Sequence, residues 1–198
     1  MYDGMRQFLF ILPPLAVLAG AAFASFLKSG AHGFIKLSVT ALILLPACLT
    51  IWDMVQLHPY QYVYFNRMVA GGTRAASENF ETDYWGAAYK EGVEWVINHA
   101  PTHPAQKIRV ANCEQSFLIS YFLERTEDLR RRFVVVKPDE KPDIYLGITR
   151  WRCDRAMEGR VIYTVQRKGT PLLFVFEVQG RHRPEALKKC ADFTTLCE

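Results

Sequence analysis

Charge is almost missing from the first quarter of this 198-residue chain. Phe8–Leu27, FLFILPPLAVLAGAAFASFL, runs for twenty residues without a charged side chain, and Phe34–Trp52, FIKLSVTALILLPACLTIW, runs for nineteen with Lys36 alone. That scarcity excludes ordinary surface helices, which need a polar stripe facing water. Other absences narrow the chemistry. No Gly-x-Gly-x-x-Gly follows a predicted strand, so the dinucleotide-binding turn is excluded and no cofactor is expected; Asn112-Cys113-Glu114 stands there instead. No serine sits in a nucleophile elbow, and no Cys-x-x-Cys pair offers a zinc ribbon. The five histidines are scattered; His99 and His103 are separated by Pro101 and have no cysteine or acid beside them at ligand spacing. Neither a metal site nor a self-contained hydrolase is expected.

The two apolar stretches are long. A helix rises about 1.5 Å per residue, so each can cross roughly 30 Å of hydrocarbon. Lipid offers backbone amides no partner, which makes helices the natural form of both. The spacing predicts a transmembrane hairpin within residues 1–56, with spans at about 8–27 and 34–52. A cleaved signal peptide is the alternative for the first stretch, with Arg6 as its basic flank and the small residues Ala19–Ser25 as a cleavage region. Twenty apolar residues are long for that purpose, and a second stretch follows after only six more, which favours two retained spans. The turn 28–33 and Lys36 supply two lysines and no acid, whereas the N-terminal tail has Arg6 set against Asp3. By the positive-inside rule the turn lies inside, and the N-terminus and the large C-terminal part outside.

The formal charge is +4, but the basic residues are dispersed and interrupted by acids, as in Glu124–Arg132. With no zinc-finger or RNP pattern, nucleic-acid binding is not expected. Cys48 falls in the second apolar stretch, leaving Cys113, Cys153, Cys190 and Cys197 as an even set. In an oxidising compartment a Cys190–Cys197 bridge would tie down the tail, although Cys113 and Cys153 leave other pairings open, as does a reduced set of four thiols.

From Asp53 onward about 146 residues remain, enough for one domain with a core. Residues 57–80 form an aromatic-rich connector suited to the membrane interface, since Tyr and Trp favour the headgroup level. Residues 81–198 are expected to form an α/β domain with a mixed sheet. Helical spacing marks Asp83–Ala100, ended by Pro101, and Glu114–Arg125. Strands are predicted at Lys107–Ala111, Phe133–Val136, Asp143–Thr149, Val161–Gln166 and Leu172–Val178, the last two joined by a four-residue connection, Lys168–Pro171.

The passage His58-Pro59-Tyr60-Gln61-Tyr62-Val63-Tyr64-Phe65-Asn66, then Gly71-Gly72, then Asp83-Tyr84-Trp85-Gly86 with Tyr89-Lys90-Glu91, resembles bacterial polytopic membrane glycosyltransferases of the protein mannosyltransferase (family 39) group. Tyr2–Phe8 running into Pro13-Pro14 is similar to the start of one of their late transmembrane helices, and Pro142–Tyr145 and Tyr163–Val165 are similar to their closing pattern. The resemblance covers the C-terminal part of a longer family member. It implies a bacterial inner-membrane protein with its domain on the periplasmic or extracellular side. The family's catalytic acid lies in an early extracytoplasmic loop, and no residue here matches that loop. The expectation is therefore a part that is not catalytic alone: it positions an acceptor or stabilises an assembly that uses a polyprenyl-phosphate sugar. The implied partners are the bilayer, a polytopic glycosyltransferase subunit or missing N-terminal region, and a polyprenyl-linked sugar or glycan acceptor. An independent membrane-anchored binding or scaffold protein is the alternative.

Seven residues are candidates for a ligand or interface. His58 follows the second span among tyrosines, where a diphosphate or sugar could approach; a local cap explains it as well. Tyr60 and Tyr64 flank it, and Asn66 and Arg67 could hydrogen-bond a headgroup or edge an interfacial helix. Asp83 reads as a helix N-cap. Trp85, with Tyr84, reads as packing between helix and sheet more readily than as a sugar platform, and Lys90, Glu91 and Glu94 as a solvated face.

Overall fold

The computed structural model describes residues 9–101 and 106–178. The chain is mixed α/β: a hairpin of two apolar helices near the N-terminus precedes a domain built on a five-stranded mixed sheet. It divides into two compact units at Trp52/Asp53.

Helix α1 spans Leu12–Lys28 and α2 spans Gly33–Leu57. Pro13 and Pro14 sit in the first turn of α1, where backbone N–H groups have no helical partner to lose. The turn closes the end of α1 with side chains: Ser29 Oγ donates to the Phe26 carbonyl at 2.6 Å and Lys36 Nζ to that of Leu27 at 2.6 Å. Both helices are long and apolar enough to cross a membrane. Helix α1 buries no residue, and α2 buries only Asp53 and Leu57, in the turn that belongs to the second unit.

In that unit a 3-10 turn at Gln61–Val63 and two single-turn helices, α3 (Arg67–Ala70) and α4 (Thr73–Ala76), make up most of the connector. Asn66 caps α3, its Oδ1 accepting the Met68 N–H at 2.8 Å, and Gly71 ends it in a left-handed conformation. Helix α5 covers Tyr89–His99, six residues shorter at its start than the apolar spacing predicts. The strands are β1 (Ile108–Asn112), β2 (Phe133–Val135), β3 (Ile144–Ile148), β4 (Gly159–Arg167) and β5 (Thr170–Val178). Helices α6 (Phe117–Leu123) and α7 (Glu127–Arg132) link β1 to β2. Helix α7 has no apolar stripe for sequence reading to find. It is held by its ends: Thr126 caps it, Glu127 and Asp128 open it, and Arg130–Arg132 close it, each favourable to the helix dipole.

The sheet order is β2-β1-β3-β5-β4, with β2, β1 and β3 parallel and β5 and β4 antiparallel to their neighbours. The predicted four-residue hairpin connection is a two-residue one. Arg167 pairs with Thr170, and Lys168 and Gly169 both have positive φ, 53° and 71°. A two-residue turn of this hand matches strand twist, so the ladder runs to the tip. Tyr145, Leu146, Ile148, Leu172 and Leu173 of the sheet and Val93 and Val96 of α5 are fully buried in one core. Each such side chain contributes about 1.5–3 kcal/mol on burial. Gly92 sets the approach of α5 to the sheet, since a Cβ there would lie 2.7 Å from Leu173 Cδ2.

Cys113 and Cys153 form a disulfide. Cys190 and Cys197 lie outside the described residues.

Candidate functional site

The chain leaves β1 toward β2 on one flank of the sheet and leaves β3 toward β5 and β4 on the other. The carboxyl ends of β1 and β3 thus flank a reversal of winding, the position at which open α/β sheets bind ligands. Here the reversal is filled by the chain itself. Glu81 accepts the Trp151 N–H at 2.8 Å, and Thr82 bonds to Thr149 Oγ1 (2.9 Å) and to the Pro171 carbonyl (2.7 Å), seating the loop 81–86 over the strand ends. Beneath it Glu114, two residues past β1, pairs with Arg150, two residues past β3, at 3.0 Å.

Arg150 organises this edge. Its guanidinium lies 4.0 Å from the Tyr84 ring centroid and 3.8 Å from that of Trp151, and donates to the Tyr84 carbonyl at 3.1 Å. Cation–π contacts of this kind contribute about 0.5–2 kcal/mol each. Trp151 and Arg152 both hold left-handed backbone, φ 51° and 57°, inside the kinked 3-10 segment Arg150–Arg155. For non-glycine residues that costs roughly 1–3 kcal/mol apiece and persists only where the surroundings impose it. The Cys113–Cys153 bridge and the stacked Arg150 do so here. Above the pair, Tyr84 and Trp85 meet edge to face at 5.2 Å and remain 40% and 53% exposed. They do not fill space between helix and sheet; the rings face outward beside an arginine and two carboxylates.

Asp83 is fully buried and is not the cap of α5, whose N-cap is Ala88. Its carboxylate accepts the Tyr62 hydroxyl and the N–H groups of Ala87 (3.1 Å) and Ala88 (2.9 Å), holding the turn that leads into the helix. Burial pushes its pKa above the ordinary value, opposed by these donors; burial also raises that of Glu114, against the charge of Arg150.

A second cluster centres on Glu91. Tyr60 donates to it at 2.9 Å, Tyr163 at 3.3 Å, and Arg167 through two nitrogens at 2.6 and 3.2 Å. Burial pushes this carboxyl up, but the hydrogen bonds from Arg167 and Tyr60 and the charge of Arg167 outweigh it, so the pKa is lowered. One helical turn on, Trp95 stacks on Tyr163 at 4.8 Å, and it stacks on His99 at 4.3 Å. Glu91 is therefore not part of a solvated face, unlike exposed Lys90 and Glu94, which pair loosely at 4.0 Å. The helical spacing that sets Glu91 in line with Ala88 and Trp95 was the available signal.

A third cluster gathers Arg67 (Nε 2.7 Å) and Lys168 on the buried carboxylate of Asp53. The structure thus separates the seven candidates. Tyr60 serves Glu91, Arg67 serves Asp53, and Asn66 caps α3. The His58 ring meets Gln61 Nε2 at 2.9 Å while its carbonyl accepts Arg167 Nε at 3.1 Å. Tyr64 packs against the core, partly buried. Only Asp83 and Trp85 belong to the edge over β1 and β3, together with Glu81, Tyr84, Glu114, Arg150 and Trp151. Of the last five, Glu114, Arg150 and Trp151 carry no motif by which a sequence reading could have joined them. Among the described residues, no three His, Cys, Asp or Glu side chains gather as a metal site.

Comparison with protein-family models, curated proteins and solved structures finds no match to this chain.

Proposed function

We propose that this chain is the non-catalytic C-terminal membrane and extracytoplasmic part of a glycosyltransferase-like protein that uses a polyprenyl-phosphate sugar, and that its domain positions the acceptor or stabilises the assembly. The observation that carries the reading is the edge over β1 and β3, where outward Tyr84 and Trp85 stand beside Arg150, Glu81 and Glu114. Aromatic faces take the C–H faces of pyranose rings, and the exposed carboxylate of Glu81 takes a hydroxyl, while the Glu114–Arg150 pair holds the edge in place. Asp83, Glu91 and Glu114 are each engaged by protein donors, which suits a binding part better than acid–base chemistry. The Cys113–Cys153 bridge supports an oxidising compartment, in agreement with the basic turn between the helices.

The test is purification from native membrane in mild detergent, followed by a transfer assay with a polyprenyl-phosphate sugar. A stoichiometric polytopic partner, whose transfer falls when Trp85→Ala is introduced here, is the expected result. Transfer by the isolated chain would overturn the non-catalytic assignment, and a stable chain purifying alone would favour the scaffold alternative. Cysteine labelling in intact cells checks the side: reagent access at position 155 and protection at position 30 are expected, and the reverse pattern overturns the orientation.

A further inference from the structure

We infer that the aromatic edge over β1 and β3 continues onto the outer face of α6, and that the two together seat an uncharged glycan chain of several sugars along Trp85, Phe117 and Tyr121. The inference rests on the proposed function in reading that edge as a sugar-binding face; within that function the bound chain is the acceptor and not the donor.

Beyond residue 80 the described residues expose five large apolar side chains, Tyr84, Trp85, Phe117, Tyr121 and Val161, and the first four are rings on two segments that meet. The meeting point is Glu114. A Cβ on Gly86 would lie 3.1 Å from its Oε2, and Arg150 binds its carboxylate at 3.0 Å and the Tyr84 carbonyl at 3.1 Å. Helix α6 begins three residues further on, at Phe117. It buries Ile119 and Leu123 and holds Phe117 and Tyr121 out on the other side, 60% and 70% exposed. Four residues of helix advance about 6 Å, so these two rings extend the edge along α6 as a row. A contiguous run of large rings in water is unfavourable unless something covers it in use. One sugar suffices to cover Tyr84 and Trp85; Phe117 and Tyr121 are placed for the sugars that follow it.

Charge selects the ligand. The segments 81–89 and 113–124 contain Glu81, Asp83, Glu114 and Glu124 and no Lys or Arg. Glu81 and Asp83 are near enough to act on Glu114 through charge, and Arg150 is matched by Glu114 itself. Arg152 and Arg155, further along the kinked segment, act on Asp154. The edge therefore keeps a surplus of negative charge, and a phosphate or carboxylate laid along it would meet its own sign. A polyprenyl-phosphate donor carries such a charge; an uncharged acceptor does not. Between the edge and the row stand exposed Gln115 and Ser116, neutral side chains that both donate to and accept from hydroxyls. Rings, neutral hydrogen-bonding groups and a negative surround fit a neutral polyhydroxy chain, whereas an anionic lipid surface or a nucleic acid would need cations here.

The full chain, purified in detergent micelles, would be screened on an array of matched neutral and carboxylate- or phosphate-bearing oligosaccharides of increasing length, and Kd then measured by tryptophan fluorescence. A neutral tetrasaccharide is expected to bind at least about tenfold more tightly than its monosaccharide and than its anionic counterpart. Phe117→Ala with Tyr121→Ala should weaken the tetrasaccharide about fivefold and leave the monosaccharide unchanged, with near-UV circular dichroism confirming the fold. Trp85→Ala should weaken both. Binding of no neutral oligosaccharide, affinity that does not rise with length, or a preference for anionic glycans would overturn the inference. So would a double variant that binds the tetrasaccharide as wild type does; if that variant also loses a polytopic partner, the row is a protein interface. Length-dependent binding by a chain that purifies without a polytopic partner would leave this inference standing while the proposed function falls. Transfer in an assembly that Trp85→Ala lowers, with the double variant fully active on long acceptors, would do the reverse.

Discussion

The helices α1 and α2 and the sheet domain are built from the same apolar residue types arranged in opposite ways. Leu, Ile, Val and Phe in the two helices point outward along most of their length, and not one residue of α1 is buried. In the domain the same types form a core shared by α5 and the sheet, and the buried carboxylates of Asp53 and Asp83 are held by protein donors. Water accounts for the second arrangement, since apolar area leaving it contributes about 25 cal/mol per Å². It cannot account for the first. The contrast teaches that two helices long and apolar enough to cross a membrane owe nothing to the core of the domain, so damage to that core should leave them intact.

The largest break in that comparison should come from the disulfide. It closes a sequence separation of 40 residues, for which loop entropy predicts about 4 kcal/mol. Cys113→Ser with Cys153→Ser should lower the stability of the domain by roughly that amount, followed by tryptophan fluorescence during denaturant unfolding in micelles, with the helical signal of the hairpin retained. A midpoint that does not move would show that the bridge is not a structural staple. Gly147→Ala comes next. Its Cβ would lie 2.6 Å from the Cys153 carbonyl oxygen, a backbone atom that moves only with the bridged segment, so about 1–3 kcal/mol of destabilisation is expected in the same assay.

Glu91 sharpens the comparison through pH. Its pKa in the folded domain lies below the ordinary value, so its contribution is complete above the unfolded-state value near 4.5 and is lost as pH falls through the folded value. Glu91→Gln should therefore weaken the domain at neutral pH by about 1–2 kcal/mol, less than for a fully buried pair because both partners are about a quarter exposed. It should also flatten the acid limb of stability against pH. Asp83 and Glu114 carry the opposite sign: their raised values mean that protonation favours the fold, and Glu114→Gln should steepen that limb. A parallel pH profile for wild type and Glu91→Gln would remove Glu91 from this role. The smallest effect on stability belongs to Trp85→Ala, within about 0.5 kcal/mol for an exposed ring. A large loss of stability there would mean that the ring packs, and would count against a binding edge.

Much of this architecture can be read along the chain because its causes are local. Twenty uncharged residues cannot make a surface helix, and runs such as DIYLGIT and LLFVFEV alternate or cluster as strands whatever surrounds them. The amphipathic core of α5 and the stop at Pro101 are local as well. What tertiary structure alone decided is which distant groups meet. Glu114 and Arg150 are 36 residues apart, Asp53 and Lys168 are 115 apart, and Glu91 and Arg167 are 76 apart. No periodicity links such positions; they meet because the parallel order β2-β1-β3 brings the ends of β1 and β3 together, and because the tight turn at Lys168-Gly169 carries the hairpin to Asp53. The same cause gave two of the connector's tyrosines their partners. Composition marks Tyr60 and Tyr62 only as interfacial; that their hydroxyls donate to Glu91 and Asp83, 31 and 21 residues away, is decided by the fold.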